Sequence, residues 1–192
     1  DQFPNFNNWL EKVKTKCTLI NTYEQIRWNL DKHYLNDLKK WGVHIPKSEF
    51  IKKNSNISLE ETSSNNNWYE IVIKPTISGA ARHTYRLKNE EIKNFESKWE
   101  NLIYNEDFII QEFQNNIIEK GEVAIMLFGG QYTHSVIKKA KSGDFRVQDD
   151  FGGSVENYQP SKEMIALAKK AIKQLKPTPA YARVDIIWDN ES

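Results

Sequence analysis

The chain has 192 residues, 39% of them hydrophobic, a formal net charge of +1 and a single cysteine, Cys17. That length suffices for one sizeable core or two small lobes, and the near-cancelling charge argues against nucleic acid as the main partner. A lone cysteine excludes an internal disulfide and fits a reducing, cytoplasmic setting, while the absence of a bilayer-length apolar run or a signal-peptide pattern gives no reason to expect a membrane partner.

Residues 3–13 place Phe3, Phe6, Trp9, Leu10 and Val13 at helical spacing. "CTLIN" (17–21) reads as a short strand. Residues 22–41 read as one or two helices stopped at Gly42. "VHIP" (43–46) is extended before its proline, and the polar, Ser- and Asn-rich stretch 52–67 reads as a loop. "WYEIVIKP" (68–75) is a strand ended by Pro75, followed by the small, flexible stretch "TISGAARHT" (76–84). A helix is predicted over 89–104 with Asn89 as its cap, and a strand over 107–113. Two strands fold around Gly129-Gly130 within 121–139. A helix starts from a Ser161 cap and runs over 161–175, and a last strand covers 181–188. Mixed helix and strand in this order predict an α+β fold. The chain opens on Asp1 and closes on what reads as the first half of a hairpin at Asp189-Asn190, so a fragment cut at both ends is expected.

Four stretches admit a chemical reading beside a bland one. Lys74 closes an apolar strand before a small-residue loop; it is either a strand-end lysine reaching water or a fixed cation beside a phosphate-covering loop. Neither the Walker pattern nor G-x-G-x-x-G is present. In "IIQEFQNNIIEKGE" (109–122) the backbone of Gln111, Glu112 and Phe113 could pair with an adenine edge, and Glu122 could accept from ribose hydroxyls; the alternative is a connection with solvated acids. In "KKAKSGDFRVQDDFGG" (138–153), Arg146 reads as part of a strand with Phe145 and Val147. Together with Lys138 it either faces a triphosphate or is neutralised by Asp149 and Asp150. Arg183 and Asp185 alternate along one strand and so share a face, as salt-bridge partners or as an anion-binding arginine beside a metal ligand. The four histidines show no zinc spacing.

Taken in order, "RWNLDKHYLNDLKKWGVHIP" (27–46), "VIKP" (72–75), "IIQEFQNNIIEKGE" (109–122), "YTHSVIKKAKSGDFRVQDDFGG" (132–153) and "YARVD" (181–185) resemble the ATP-grasp superfamily. The resemblance is on the side of glutathione synthetase and the ribosomal-protein glutamate ligase, and is similar to the ATP-grasp ligase group of D-cycloserine biosynthesis. It implies two α+β lobes with largely antiparallel sheets enclosing a nucleotide. The lobes are expected at 31–108 and 109–192, with 1–30 as the tail of a preceding α/β domain. It implies Lys32 and Lys74 on ATP phosphates and Gln111, Glu112 and Phe113 as the adenine connector. Glu122 matches the ribose carboxylate, with Glu119 close enough to compete. Lys138 and Arg146 match phosphate-side cations, Arg183 lies by the transferred group, and Asp185 is a Mg²⁺ ligand. The implied reaction joins a small carboxylate-bearing substrate to a nucleophile through an acyl phosphate; oligomeric state is not implied. The family pattern continues with a Glu-x-Asn or Glu-x-Glu strand that completes the magnesium site and is not among these 192 residues, so the chain as given is expected to bind nucleotide weakly and turn nothing over. Two rivals stay open: a non-catalytic nucleotide-binding module, and a small-molecule kinase on the same fold.

Overall fold

The computed structural model describes residues 2–141, 143–147 and 152–191. They divide into two units. One comprises residues 31–36 and 44–114; the other comprises the remaining segments 1–30, 37–43 and 115–192. The division passes through a short helix, α3 (Tyr34–Lys40).

The 44–114 unit holds a four-stranded antiparallel sheet in the order β1 (Ser48–Ile51), β4 (Phe108–Glu112), β2 (Glu70–Pro75), β3 (Tyr85–Lys88). Strand side chains alternate between faces. Ile71 and Ile73 of β2 and Phe108 and Ile110 of β4 therefore fall on one face, where they are fully buried with Leu59, Ile92 and Trp99. Two helices supply the other side of that core: α4 (Leu59–Asn66) and α5 (Asn89–Ile103). The opposite face of the sheet carries Glu70, Val72 and Lys74 of β2. Across from Val72, Arg86 of β3 and Gln111 of β4 lie on that same face.

The second unit holds another antiparallel sheet, in the order β7 (Ser154–Asn157), β6 (Gln131–Lys139), β5 (Glu122–Phe128), β8 (Tyr181–Ile186). Val123, Ile125 and Leu127 of β5 and Ile137 of β6 pack against Ala168 and Ile172 of helix α7 (Lys162–Ile172). Ser161 starts that helix, its hydroxyl accepting from the Met164 N–H at 3.3 Å. The same unit includes α1 (Phe3–Val13), α2 (Tyr23–Leu30) and the one-turn α6 (Asn116–Glu119).

The α+β expectation and the antiparallel sheets hold. Several local expectations do not. "CTLIN" is not a strand: Ile20 is 83% exposed, so there is no burial to drive pairing. The 52–67 stretch contains α4, whose buried face is Leu59, Thr62 and Ser63 and which Ser58 caps through the Glu61 N–H at 3.2 Å. The cap residue of α5 is Lys88 rather than Asn89, and the Glu91 carboxylate accepts the Lys88 N–H at 2.8 Å. Phe145–Val147 form no strand.

Candidate functional site

In the 44–114 unit two lysines come together. Lys32 is half-buried. Its backbone N–H donates to the Thr76 carbonyl at 2.9 Å, and its ammonium donates to Ser78 Oγ at 2.9 Å and to the Thr76 and Ser78 carbonyls at 3.3 and 3.4 Å. It thus ties down the start of the loop that follows β2. Burial first, and the charge of nearby Lys74 second, push the Lys32 amine down to about 8, against a partial opposing pull from Asp31. Two neighbouring cations that feel one another's charge are an arrangement suited to an anion.

The loop 76–84 has two further features. Arg82 makes a bidentate pair with Glu106, Nη1 to Oε1 at 2.7 Å and Nη2 to Oε2 at 2.6 Å, and also donates to the Ile77 carbonyl. Ala80, Ala81 and His83 all have positive φ, of 48, 54 and 51°, a region that costs an L-residue with a Cβ about 1–2 kcal/mol.

Gln111 is buried and donates to Ser48 Oγ at 2.7 Å. Glu112 pairs with Lys47 at 3.4 Å. Phe113 is buried, its N–H held by the Glu70 carbonyl at 2.9 Å. Gln111 and Glu112 end β4, and Phe113 follows it.

The second unit gathers Glu122, Lys138, Arg183 and Asp185 on the sheet face opposite α7. Strand register dictates it: Glu122 pairs with Lys138, Ala124 with Asp185, and Met126 with Arg183. Lys138 lies between two carboxylates, its ammonium 3.0 Å from Glu122 Oε1 and 3.7 Å from Asp185 Oδ1. Arg183 grips Asp185 through Nε and Nη2, both at 2.9 Å, and that bond holds its guanidinium firmly protonated. Burial and then the Asp185 carboxylate push the Glu122 carboxyl above its ordinary range, with Lys138 pulling it back. Gly121 makes the Glu122–Lys138 approach possible. It has φ +87°, and a Cβ there would stand 2.4 Å from the Lys138 carbonyl oxygen. Glu119, the competing acid, is exposed on α6.

Arg146 is held by Asp144, Nε to Oδ1 at 3.0 Å and Nη2 to Oδ2 at 2.7 Å. That fork and the backbone N–H groups of residues 145 and 146 keep the Asp144 carboxyl far below the usual carboxylate range. Asp149 and Asp150, expected as neutralising partners, lie outside the described residues. Sequence reasoning missed Ser78, Glu106, Glu70, Arg86 and Asp144. The small-residue loop was the only signal for the first; the pairings of Glu106, Glu70 and Arg86 need tertiary register, and that of Asp144 with Arg146 needs a local turn.

Magnesium takes hard oxygen donors and commonly one or two carboxylates beside phosphate oxygens. Asp185 is a donor of that kind, and Lys138 is a cationic neighbour at 3.7 Å. Among the described residues no group of three or more histidines, cysteines or acids is placed to hold a metal ion. No described helix is long and apolar enough to cross a membrane.

Residues 41–190 match the family model of the prokaryotic glutathione synthetase ATP-grasp domain. The cycloserine biosynthesis protein DcsG of Streptomyces lavendulae is 25% identical over 139 residues, which is 70% of this chain and 46% of that protein. The chain therefore spans about half the length of this curated relative. The crystal structure of D-cycloserine synthetase DcsG superposes with a TM-score of 0.86 at 22% identity, covering 99% of this chain and 68% of that one. D-alanine–D-alanine ligase from Bacillus anthracis gives 0.64 at 18% identity, over 84% of this chain and 53% of that one. These likenesses share the two antiparallel α+β units described above, and the family match spans both sheets: the chain belongs to the prokaryotic glutathione synthetase ATP-grasp domain family.

Proposed function

We propose that the chain is the nucleotide-binding part of an ATP-dependent ligase that joins a small carboxylate to an amine or another nucleophile through an acyl phosphate. The observation that supports it most is the sheet face carrying Glu122, Lys138, Arg183 and Asp185 in neighbouring rows. The Bacillus anthracis ligase of like fold has been solved with ATP.

Each residue then has a task. Lys32 and Lys74 bind the phosphates. The Gln111–Phe113 backbone meets the adenine edge, and Glu122 accepts from the ribose hydroxyls. Lys138 and Arg146 stand on the phosphate side. Asp185 would hold a Mg²⁺ ion, which would supply countercharge to the triphosphate. In the first step a substrate carboxylate oxygen bonds to the γ-phosphorus as the bond to the β–γ bridging oxygen breaks, releasing ADP. In the second a nucleophile bonds to the acyl carbon, phosphate leaves, and the nucleophile gives up its proton. Arg183 offsets negative charge on the group in transfer. In the bare protein Arg183 and Asp185 satisfy one another, so both must exchange partners when ligand arrives.

Hydroxylamine trapping tests this reading. The complete protein, with ATP, Mg²⁺ and a panel of small carboxylic and amino acids, should yield a hydroxamate together with ADP. A stable phosphate ester without hydroxamate would make it a kinase; nucleotide binding with no turnover on any acid would make it a non-catalytic module.

A further inference from the structure

Arg86 has no place in the mechanism above, yet it is tightly built in. Its side chain lies on the sheet face opposite the α4–α5 core, in one row with Val72 and Gln111. Its Nε donates to Glu70 Oε1 at 2.7 Å and its Nη2 to Glu70 Oε2 at 3.1 Å. Its guanidinium carbon stands 3.9 Å from the centroid of the Phe113 ring. Glu70 is only 9% exposed, and Phe113 4%. The backbone closes the circuit, because the Glu70 carbonyl accepts the Phe113 N–H at 2.9 Å. Glu70, Arg86 and Phe113 therefore form a closed ring of three contacts: an ion pair, a stacked cation and a backbone bond. Only a planar, delocalised cation can fork a carboxylate with its edge while laying its face on an aromatic ring.

We propose that Arg86 is a positioning residue that sets the base-binding edge of the nucleotide site by acting through Phe113. This rests on the nucleotide-binding reading above. The Glu112 and Phe113 N–H groups donate to the Lys47 and Glu70 carbonyls, so this edge meets a base through carbonyl acceptors, and a carbonyl recognises an exocyclic amine only if it is held within a fraction of an ångström. The side chain of Phe113 is the handle by which its backbone is fixed, and Arg86 is what holds the handle. Glu70 aligns the guanidinium and neutralises it, so that the cation costs little to bury. The consequence is selectivity. A fixed edge distinguishes adenine from guanine, whose exocyclic groups reverse donor and acceptor. A loosened edge accepts both more equally.

The test uses the complete protein and four variants: Arg86→Met, Arg86→Lys, Phe113→Leu, and the double variant Glu70→Gln with Arg86→Met, which leaves no stranded buried carboxylate. ATP and GTP affinities, kcat and the thermal midpoint are measured for each. Arg86→Met should raise the ATP Kd about tenfold, the loss of a half-buried stacked cation, and narrow the ATP-over-GTP preference, with kcat at saturating ATP within about twofold. Arg86→Lys should recover little of either, because it restores charge without the plane. Phe113→Leu should reproduce both shifts, and the double variant should keep them while regaining thermal stability. If Arg86→Met and the double variant keep the parental ATP affinity and base preference and lose only thermal stability, Arg86 serves the fold alone and the proposal is overturned. If the parent binds no nucleotide at all, the nucleotide-binding reading falls first and the proposal falls with it.

Discussion

Lys32 shows how two neighbours set one amine's chemistry. Its pKa lies near 8, below the ordinary 10.5, from burial and from the Lys74 charge. The unfolded chain therefore holds this proton more tightly than the folded one. The group disfavours folding below about pH 8, and that penalty fades as pH rises from about 8 towards 10.5. A polyphosphate between the two lysines would raise the pKa again. ATP binding at pH 8–9 is thus expected to take up protons, seen as a binding enthalpy that varies with buffer ionisation enthalpy, and affinity should weaken as pH climbs through this window. A buffer-independent enthalpy would remove Lys32 from the phosphate site. Lys74→Ala should weaken ATP binding by about 1.5–3 kcal/mol, the range for hydrogen bonds to charged groups. It should cost the bare protein little stability, because it also removes the repulsion Lys32 feels; equal ATP affinity in mutant and parent would return Lys74 to a plain strand-end role.

Elements differ in how far their sequence announces them. Strands β2, β4 and β5 were legible because apolar stretches need burial, β8 because its residues alternate between two faces, and α5 and α7 because their apolar residues recur at helical spacing. The strands β1, β3 and β7 have four residues each, too few to show a period. All of β7 is exposed, so no burial marks it. Helix α4 was hidden because small polar residues, Thr62 and Ser63, make its buried face. Its start depends on Ser58, which caps Glu61 and also donates to Glu96 at 2.8 Å. Ser58→Ala should therefore cost about 1–2 kcal/mol in chemical denaturation. The site was half legible. Alternation alone put Arg183 and Asp185 on one face, but the Glu122–Lys138–Asp185 contacts require the register of three strands, and the Arg146–Asp144 fork requires a turn that looked like a strand. The loop 76–84 was recognised by its small residues, while its left-handed alanines and its Arg82–Glu106 pair were not. Anchored at Lys32 and Arg82 with strained backbone between, it should gain hydrogen-exchange protection when a non-hydrolysable ATP analogue binds. Unchanged protection would mean that the loop does not cover phosphate.

At the scale of the whole molecule, each unit has its own core beneath one face of its sheet; the other face carries Lys74 and Gln111 in one unit and Glu122, Lys138, Arg183 and Asp185 in the other. Ile110 belongs to the first core and is fully buried. Ile110→Ala should cost that unit about 2–5 kcal/mol, read as lost amide protection across β1–β4, with the β5–β8 sheet keeping its own protection. Asp185→Asn in the complete protein should remove most turnover and flatten the magnesium dependence of ATP binding, leaving circular dichroism unchanged. Parental activity with the same magnesium curve would show that Asp185 is no ligand.

The depressed pKa of Lys32 also makes this amine a covalent target. At pH 7 an amine with a pKa near 8 is unprotonated about 300 times more often than a lysine of ordinary pKa, and only the unprotonated amine attacks an electrophile. A small, mildly reactive acylating reagent at limiting dose should therefore modify Lys32 ahead of the exposed lysines, so far as its partial burial admits the reagent. Whatever occupies the space between Lys32 and Lys74 should protect it. Mass-spectrometric mapping of that modification, with and without each candidate ligand, would turn the half-buried lysine into a reporter of occupancy that needs no knowledge of the acid substrate.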